Sequence, residues 1–265
     1  MPNDIHQSVS LSDRTVALIL GSLLGDGSLK IHPGYKNARF SFRHSIKQIN
    51  YFDWKVDQLT EISGDKHRFL QKPDGFSKHE KLRYQSLALP SLTELYELTH
   101  ERKQFRIRRK WLNNMSDLSL AIWWLDDGSL ISNTRKGVIS TDGFDHQSVK
   151  RLARYLQVVW HINTTVGVIS NRGKNFSRES QYYRIWIRSG EELKKLLRIV
   201  APHVHQEDML YKVLILYKDP ELQQRWISEI AALTEFSTEQ ITAVVNQRKA
   251  SLKLFSENDI VHPLM

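Results

Sequence analysis

Two aspartates, Asp26 and Asp127, stand at matching places in the chain and have the type and spacing that suggest chemistry. Each follows an apolar run of helical length and precedes a glycine, in SDRTVALILGSLLGDG and SDLSLAIWWLDDG. A carboxylate at the C-terminal end of a helix faces the negative end of the helix dipole, which disfavours it by about 0.3–1 kcal/mol. A bound divalent cation would offset that cost. One Asp-Gly alone would indicate a turn, but two in register predict a metal site.

The elements that position these aspartates are predicted to be two similar helices. Each motif opens with Ser-Asp, which is typical of a helix start, and closes with a glycine, which we expect to end the helix in a left-handed turn. Small residues on the first helix and large ones on the second predict that the helices pack side by side. These residues are Gly21, Ser22 and Gly25, facing Trp123 and Trp124.

The residues after each aspartate continue the repeat. Their periodicity predicts two strands, a helix, two strands and a helix, twice over. The predicted fold class is therefore α+β, with duplicated αββαββα halves. In the first half we expect helices over 46–62 and 91–99 and later strands near 67–71 and 82–89; in the second, helices over 145–160 and 190–200 and later strands near 164–170 and 181–188. The predicted divisions are a flexible N-terminus (1–11), a first half (12–99), a basic linker (100–115), a second half (116–217) and a helical tail (218–265).

Alternation along the predicted strands gives each sheet one apolar and one basic face. ARFSFRH (38–44) and QYYRIWIRS (181–189) both place aromatic or aliphatic residues on one side and arginines on the other. Such a polar face can follow phosphates and read base edges in a major groove, although a solvated outer face has the same pattern. The predicted DNA-contacting residues are Lys30, His32, Arg39, Arg43, Arg83, Gln85, Arg184 and Arg188.

The composition narrows both the partner and the metal ligands. With 38 basic and 29 acidic residues the net charge is +9, which favours nucleic acid over a membrane surface or a small neutral substrate. The chain has no cysteine, so disulfides, thiolate metal sites and cysteine nucleophiles are excluded. Neither a signal peptide nor a membrane span is visible. We therefore expect a bacterial cytoplasmic protein at the nucleoid, with an organelle as the alternative.

The segments ILGSLLGDG (19–27) and LAIWWLDDG (120–128) resemble the paired LAGLIDADG motifs of homing endonucleases. The DDG ending of the second resembles the branch that includes the yeast mitochondrial omega-intron endonuclease. This resemblance covers residues 12–217 and implies two halves related by a pseudo-two-fold axis, with antiparallel, saddle-shaped sheets over DNA. It implies a single-chain enzyme, active as a monomer, that cuts both strands of a long double-stranded DNA site.

The resemblance also implies the metal site. The last acid of each motif falls on Asp26 and Asp127, which would hold the cations together with the backbone of Gly25 and Asp126. Mg²⁺ is the expected cation, as two or three ions. Mn²⁺ is expected to substitute for it, and Ca²⁺ to bind without supporting cleavage.

A lysine late in each half is a further feature that the resemblance implies. In the second half it falls on Lys212, in the segment MLYK, and in the first half on Lys103, beside Gln104. Each lysine would add positive charge at the cut or order water there. An ordinary surface charge is the alternative interpretation of both.

Two other functions remain open. A maturase that assists the splicing of intron RNA would not need the two aspartates, and a non-cleaving DNA-binding regulator would bind DNA in a salt-dependent way without metal. The tail segment 230–248 resembles the helix-turn-helix of LacI-type repressors, with Glu235 in place of the usual turn glycine. An ordinary helical hairpin is the alternative there.

Overall fold

The computed structural model describes residues 10–73, 80–131, 135–170, 181–256 and 259–261. Most of the predicted flexible N-terminus (1–11) therefore lies outside the described residues. The chain divides into two compact units, Met1–Ser119 and Leu120–Met265. Among the described residues, no helix combines the length and the apolar character of a membrane span.

The first unit contains one four-stranded antiparallel sheet with helices before, between and after its strands. Its elements are α1 (Asp13–Leu23), β1 (Gly27–Lys30), β2 (Arg39–Ser45), α2 (Ile49–Asp57), β3 (Arg68–Gln71), β4 (Lys81–Gln85), α3 (Pro90–Thr99), β5 (His100–Glu101), β6 (Gln104–Phe105) and α4 (Arg109–Leu112). The strands of the sheet run in the order β1-β2-β4-β3, so the two central strands are β2 and β4.

The second unit repeats this order. Its elements are α5 (Asp117–Asp127), which crosses the boundary between the units, β7 (Gly128–Leu130), β8 (Gly137–Ile139), α6 (His146–Val159), β9 (Thr165–Ser170), β10 (Gln181–Ile187), α7 (Gly190–Val200), α8 (Pro220–Leu233) and α9 (Thr238–Ala250). Its sheet runs β7-β8-β10-β9, which matches the first sheet strand for strand. The predicted α+β class and the duplicated αββαββα order are confirmed.

Local signals place most helix boundaries where the sequence predicts them. The hydroxyl of Ser12 accepts a hydrogen bond from the amide of Thr15 at the start of α1, and Asp145 caps α6 in the same way. The single helix predicted over 46–62 is wrong. Its ends are 3₁₀ turns, Ile46–Gln48 and Thr60–Ile62, on either side of α2, and the second turn buries Ile62.

The motif glycines have a different role from the predicted one. Gly27 and Gly128 begin strands, and Gly34 is the glycine with a positive φ among the residues described. A Cβ on Gly27 would lie 2.7 Å from the carbonyl carbon of Ser22, and one on Gly128 would lie 2.3 Å from the ring of Trp124. Glycine is needed because each strand leaves its helix too closely for a side chain.

Each sheet buries one face against its helices, as the alternation predicts. In the first unit, Phe40, Phe42 and Tyr84 are buried; in the second, Ile185 and Ile187 are. The opposite faces carry the arginines and remain accessible. This division leaves a polar face on each sheet for a partner.

The helical tail packs on its own unit. α8 and α9 lie in the predicted helical tail (218–265), and α9 starts with a capping box formed by Ser237 and Gln240. Near its end, the guanidinium of Arg248 donates to the carbonyl oxygens of Tyr211, at 2.8 Å, and Leu214, at 3.0 Å. The C-terminal half of α9 is thus held by intramolecular bonds.

Candidate active site

Asp26 lies in the turn that joins α1 to β1. The turn forms because the amides of Leu24 and Gly25 donate to carbonyl oxygens near the end of α1. The carboxylate Oδ2 lies 3.3 Å from Nδ1 of His44, and the side chains are 41% and 1% exposed respectively. A buried imidazole therefore supports a carboxylate that is presented to solvent. Oxygen and imidazole nitrogen are both ligands that divalent metal ions accept.

His44 is not among the residues predicted from the sequence. This residue falls on the same side of β2 as Phe40 and Phe42, which is the side that the alternation assigns to the core. Its ring packs 5.3 Å from the ring of Phe42 and 5.1 Å from that of Tyr51. The sequence signal that could have identified His44 is a titratable residue on an otherwise apolar face of a strand. Such residues are seldom buried without a partner.

A groove of about 610 Å³ opens on the polar side of the first sheet and includes Asp26. Four of the predicted DNA-contacting residues line it. These are Lys30, His32, Arg43 and Arg83. Arg39 and Gln85 line a smaller neighbouring hollow, and the guanidinium of Arg39 stacks 4.4 Å from the centre of the Tyr35 ring. The structure thus groups four of the six predicted contacts of the first unit in one groove with Asp26.

Two arginines in this groove stand directly opposite each other. Arg43 on β2 pairs in register with Arg83 on β4. The pKa of Arg83 is lowered, first by burial and then by the charge of Arg43. Like charges at facing positions of a sheet are destabilising, so the pair costs stability in the isolated protein. A polyanion in the groove would remove that cost.

In the second unit, Asp127 is the last residue of α5, and Lys212 contacts Gly128, the residue that follows it. The ammonium of Lys212 donates to the carbonyl oxygen of Gly128 at 2.6 Å. The indole of Trp124 donates to the carbonyl oxygen of Lys212 at 2.9 Å, and the lysine is only 6% exposed. The predicted lysine is therefore fixed at the end of the second motif.

The polar face of the second sheet is partly paired within the unit. The guanidinium Nε of Arg184 donates to Asp142 at 2.7 Å. This bond raises the pKa of Arg184, and the charge of Asp127 adds to the effect. Arg188 donates to the hydroxyl of Thr165 at 3.1 Å and lies over the Trp186 ring. Both arginines are ordered by these contacts.

The two units support their motif aspartates differently. Gly27 pairs with Phe42 in the first sheet, and Gly128 pairs with Ile139 in the second. Two residues further along, His44 therefore corresponds to Thr141. The hydroxyl of Thr141 donates to the carbonyl oxygen of Tyr183. In the second unit this position therefore joins the segment after β8 to β10.

Lys103, the predicted lysine of the first half, lies at the exposed tip of the β5–β6 hairpin. Its φ is 65°, and that of its neighbour Arg102 is 49°. Positive φ values disfavour residues with a Cβ, and Asn-Gly is the usual solution at such a turn. The tip therefore holds two exposed basic residues in a backbone conformation that favours neither of them.

Both the sequence and the fold of the chain are similar to those of known proteins. A model described as the LAGLIDADG DNA endonuclease family matches residues 16–195. The chain is 31% identical to the protein RecA of Mycolicibacterium chitae over 137 residues, which are 50% of this chain and 30% of that protein. It is 24% identical over 212 residues to the cytochrome b mRNA maturase bI2 of Saccharomyces cerevisiae, covering 76% of this chain and 48% of the maturase. The chain thus spans from under a third to about half the length of these curated relatives.

Among solved structures, the homing endonuclease I-WcaI bound to its DNA recognition sequence is similar in fold. The TM-score is 0.65 at 22% sequence identity, with 80% of this chain and 90% of that one covered. At this identity the likeness concerns the fold.

Proposed function

The chain belongs to the LAGLIDADG DNA endonuclease family, and from this premise we propose that it is a site-specific homing endonuclease that hydrolyses both strands of a duplex DNA site as a monomer. The observation that carries the proposal is the position of Asp26 in a groove whose charged lining is otherwise basic or imidazole. The basic side chains of the groove would hold the phosphates of the DNA. The carboxylate of Asp26 would bind the metal ion that assists cleavage.

The basic side of each sheet is the proposed DNA-binding surface. In the first unit, the facing pair Arg43 and Arg83 supports this because its repulsion is relieved by bound phosphate. Side chains that alternate along a strand are spaced to follow a groove of the duplex. In the second unit, Arg184 would have to exchange its bond with Asp142 for a DNA contact. Arg188 would have to break its hydrogen bond with the hydroxyl of Thr165.

Divalent metal is the proposed cofactor, with Mg²⁺ as the physiological ion, Mn²⁺ as a substitute and Ca²⁺ as a non-catalytic ligand. In the first unit the carboxylate of Asp26 is a ligand that suits such an ion, and the buried imidazole of His44, 3.3 Å from that carboxylate, would orient it. In the second unit, Asp126 and Asp127 are both partly exposed. The backbone of Gly25 and of Asp126 are further proposed ligands. When bound, the ion would lower the pKa of a coordinated water and polarise the phosphate.

Lys212 is proposed to stabilise the negative charge that develops at the phosphate. Its ammonium is fixed against Gly128 and excluded from bulk solvent, so its charge is screened less than that of a surface lysine. Lys103 is the proposed counterpart in the first unit. Because Lys103 is exposed, its effect on the cut should be smaller and should weaken as salt is raised.

The proposal is tested by selecting cleaved molecules from a randomised duplex library in Mg²⁺. The wild type is compared with Asp26→Asn and Asp127→Asn, which remove a charge and almost no volume. The matched controls are Asp57→Asn on α2 and Glu221→Gln on α8, which change exposed acidic residues in the same way. We expect one long site cut on both strands by the wild type and by the controls, and no cut by the two motif variants. Retention of cutting by both motif variants would refute the assignment.

A second candidate function is assistance to intron splicing, favoured by the likeness to the maturase bI2 over 76% of this chain. Host intron RNA would then be a partner. This function does not use the carboxylates, so Asp26→Asn and Asp127→Asn should leave RNA binding unchanged. Binding of an intron RNA that survives both substitutions, in a chain that cuts no DNA, would replace the endonuclease proposal.

A further inference from the structure

A second groove, of about 770 Å³, lies entirely within the second unit. We infer that it binds backbone phosphates of the DNA that flanks the cut, and this inference rests on the proposed function. The groove lies where the start of β8, the end of β10 and the start of α7 meet the chain before α8 and the tail. Asp127 and Lys212 are not among its lining residues.

The lining is rich in positive charge. Five of its side chains are basic against two that are acidic. The basic residues are Arg135, Lys136, Arg188, Lys194 and Lys218. A concave surface lined by one sign of charge concentrates ligands of the opposite sign. The groove therefore favours an anion.

Both carboxylates are already engaged. Glu191 accepts from the ammonium of Lys194 at 3.0 Å, and Asp219 accepts from the amide of Leu222 at 2.9 Å as the cap of α8. Lys136 and Lys218 are exposed, and neither forms an ion pair with any residue in the described part of the chain. The charge of Lys194 is paired with Glu191 and that of Lys218 also acts on Asp259, but basic side chains still outnumber acidic ones in the groove.

The arrangement suits a polymer backbone better than a small anion. The free lysines stand exposed at the rim, and the groove is partly apolar, with Leu216, Tyr217 and Leu222 among its lining residues. A small anion would instead need several donors converging on one point. Exposed cations spread along a surface are typical of contacts that position a duplex without reading its sequence.

Arg188 connects this groove to the polar face of the second sheet. It follows the last residue of β10, lies over Trp186 and also lines the groove. A duplex that follows β10 past Arg184 therefore reaches Arg188 and then the groove. The contact would lengthen the DNA footprint on the side of the second unit.

A tethered cleavage reagent tests this placement. The chain has no cysteine, so a single introduced cysteine is a unique attachment point. Leu254→Cys and Leu222→Cys place it in the groove at side chains that are 42% and 40% exposed, without removing a cation. Val158→Cys on α6, at 54% exposed, is the control. Each variant is labelled with iron-EDTA and mixed with a mixed-sequence duplex without Mg²⁺.

We expect strand scission from both groove positions well above the level from α6. Scission no greater than that from α6, in a chain that still binds and cuts DNA, would overturn the inference and leave the proposed function standing. A chain that binds no duplex would overturn both. The iron-EDTA reagent cuts any DNA that binds beside it, so the test does not depend on Mg²⁺-dependent cleavage by the protein. If that cleavage fails, the placement of DNA in the groove can still be read from the scission pattern.

The salt dependence of binding provides an independent measurement. In Lys136→Gln/Lys218→Gln, the slope of log Kd against log salt should fall by about 0.9 for each lysine that holds a phosphate. Lys150→Gln/Arg154→Gln on α6 removes the same charge from two exposed positions and should leave the slope unchanged. Equal slopes for the two double variants would overturn the inference. Pyrophosphate binding, measured by calorimetry, is the other decisive result. If it is lost in Lys136→Gln/Lys218→Gln while the salt dependence of DNA binding is unchanged, the groove binds a small anion and the inference is overturned.

Discussion

The buried ammonium of Lys212 donates a hydrogen bond of 2.6 Å to the carbonyl oxygen of Gly128, the residue directly after Asp127. This bond ties the 3₁₀ turn Glu207–Lys212 to the end of the second motif helix. Lys249 makes a similar bond elsewhere in the same unit, to the carbonyl oxygen of Asp259 at 2.6 Å. Both lysines are buried, but Lys212 bonds at the end of the second motif and Lys249 bonds in the tail.

Replacing Lys212 with methionine should abolish most of the cleavage and cost about 1–3 kcal/mol of stability, because the carbonyl of Gly128 loses its charged donor. Lys249→Met should cost a similar amount of stability and leave cleavage by the folded fraction close to wild type. Thermal denaturation and single-turnover cleavage of the selected site measure both effects. Equal loss of cleavage in the two variants would mean that Lys212 acts through stability alone.

His44 is predicted to position Asp26 for metal binding. In His44→Leu we expect Mn²⁺ to bind the first unit about 10–100-fold more weakly, which is the usual effect of losing a group that orients a ligand. DNA affinity measured without metal should not change. Mn²⁺ titration by calorimetry is the measurement. His100→Leu, which alters a histidine stacked on Tyr96 at 3.9 Å, is the matched control, and equal Mn²⁺ affinity in all three proteins would contradict the prediction.

Arg43→Gln should stabilise the protein while weakening its hold on DNA. The substitution removes a like charge opposite Arg83, which should raise the free energy of unfolding by about 0.5 kcal/mol. The slope of log Kd against log salt should fall by about 0.9, because one phosphate contact is lost. Lys110→Gln, at an exposed position of α4, should not raise stability. A destabilised Arg43→Gln protein would show that the pair does not repel.

Gly128→Ala should destabilise the second unit by about 1–3 kcal/mol, because the new methyl group would overlap the ring of Trp124. Gly143→Ala is the control, since a Cβ at Gly143 meets nothing within 4 Å. It should change stability little or raise it by up to about 1 kcal/mol through the unfolded chain. Thermal midpoints of the two variants make the comparison, and similar midpoints would mean that Trp124 moves aside at little cost.

Local patterns were enough to predict the repeated order of elements and most of their ends. The alternation in 38–44 and 181–189 predicted which face of each sheet is buried, because side chains on a strand point to opposite sides in turn. Ser12 and Asp145 predicted helix starts, because a cap acts within its own turn. The helix over 46–62 was predicted wrongly, since the pattern of apolar residues does not distinguish an α-helix from the 3₁₀ turns at its ends.

What only the tertiary structure decided are the contacts between residues far apart in the chain. The motif sequence predicted Asp26 and Asp127 as metal ligands, but the contact of His44 with Asp26 depends on how β2 lies against the turn after α1. The pairing of Arg184 with Asp142 and the collision that makes Gly128 necessary depend in the same way on register and close packing. Periodicity determines which face of an element a residue occupies. It does not determine which distant residue that face meets, because this is set by the packing of whole elements against one another.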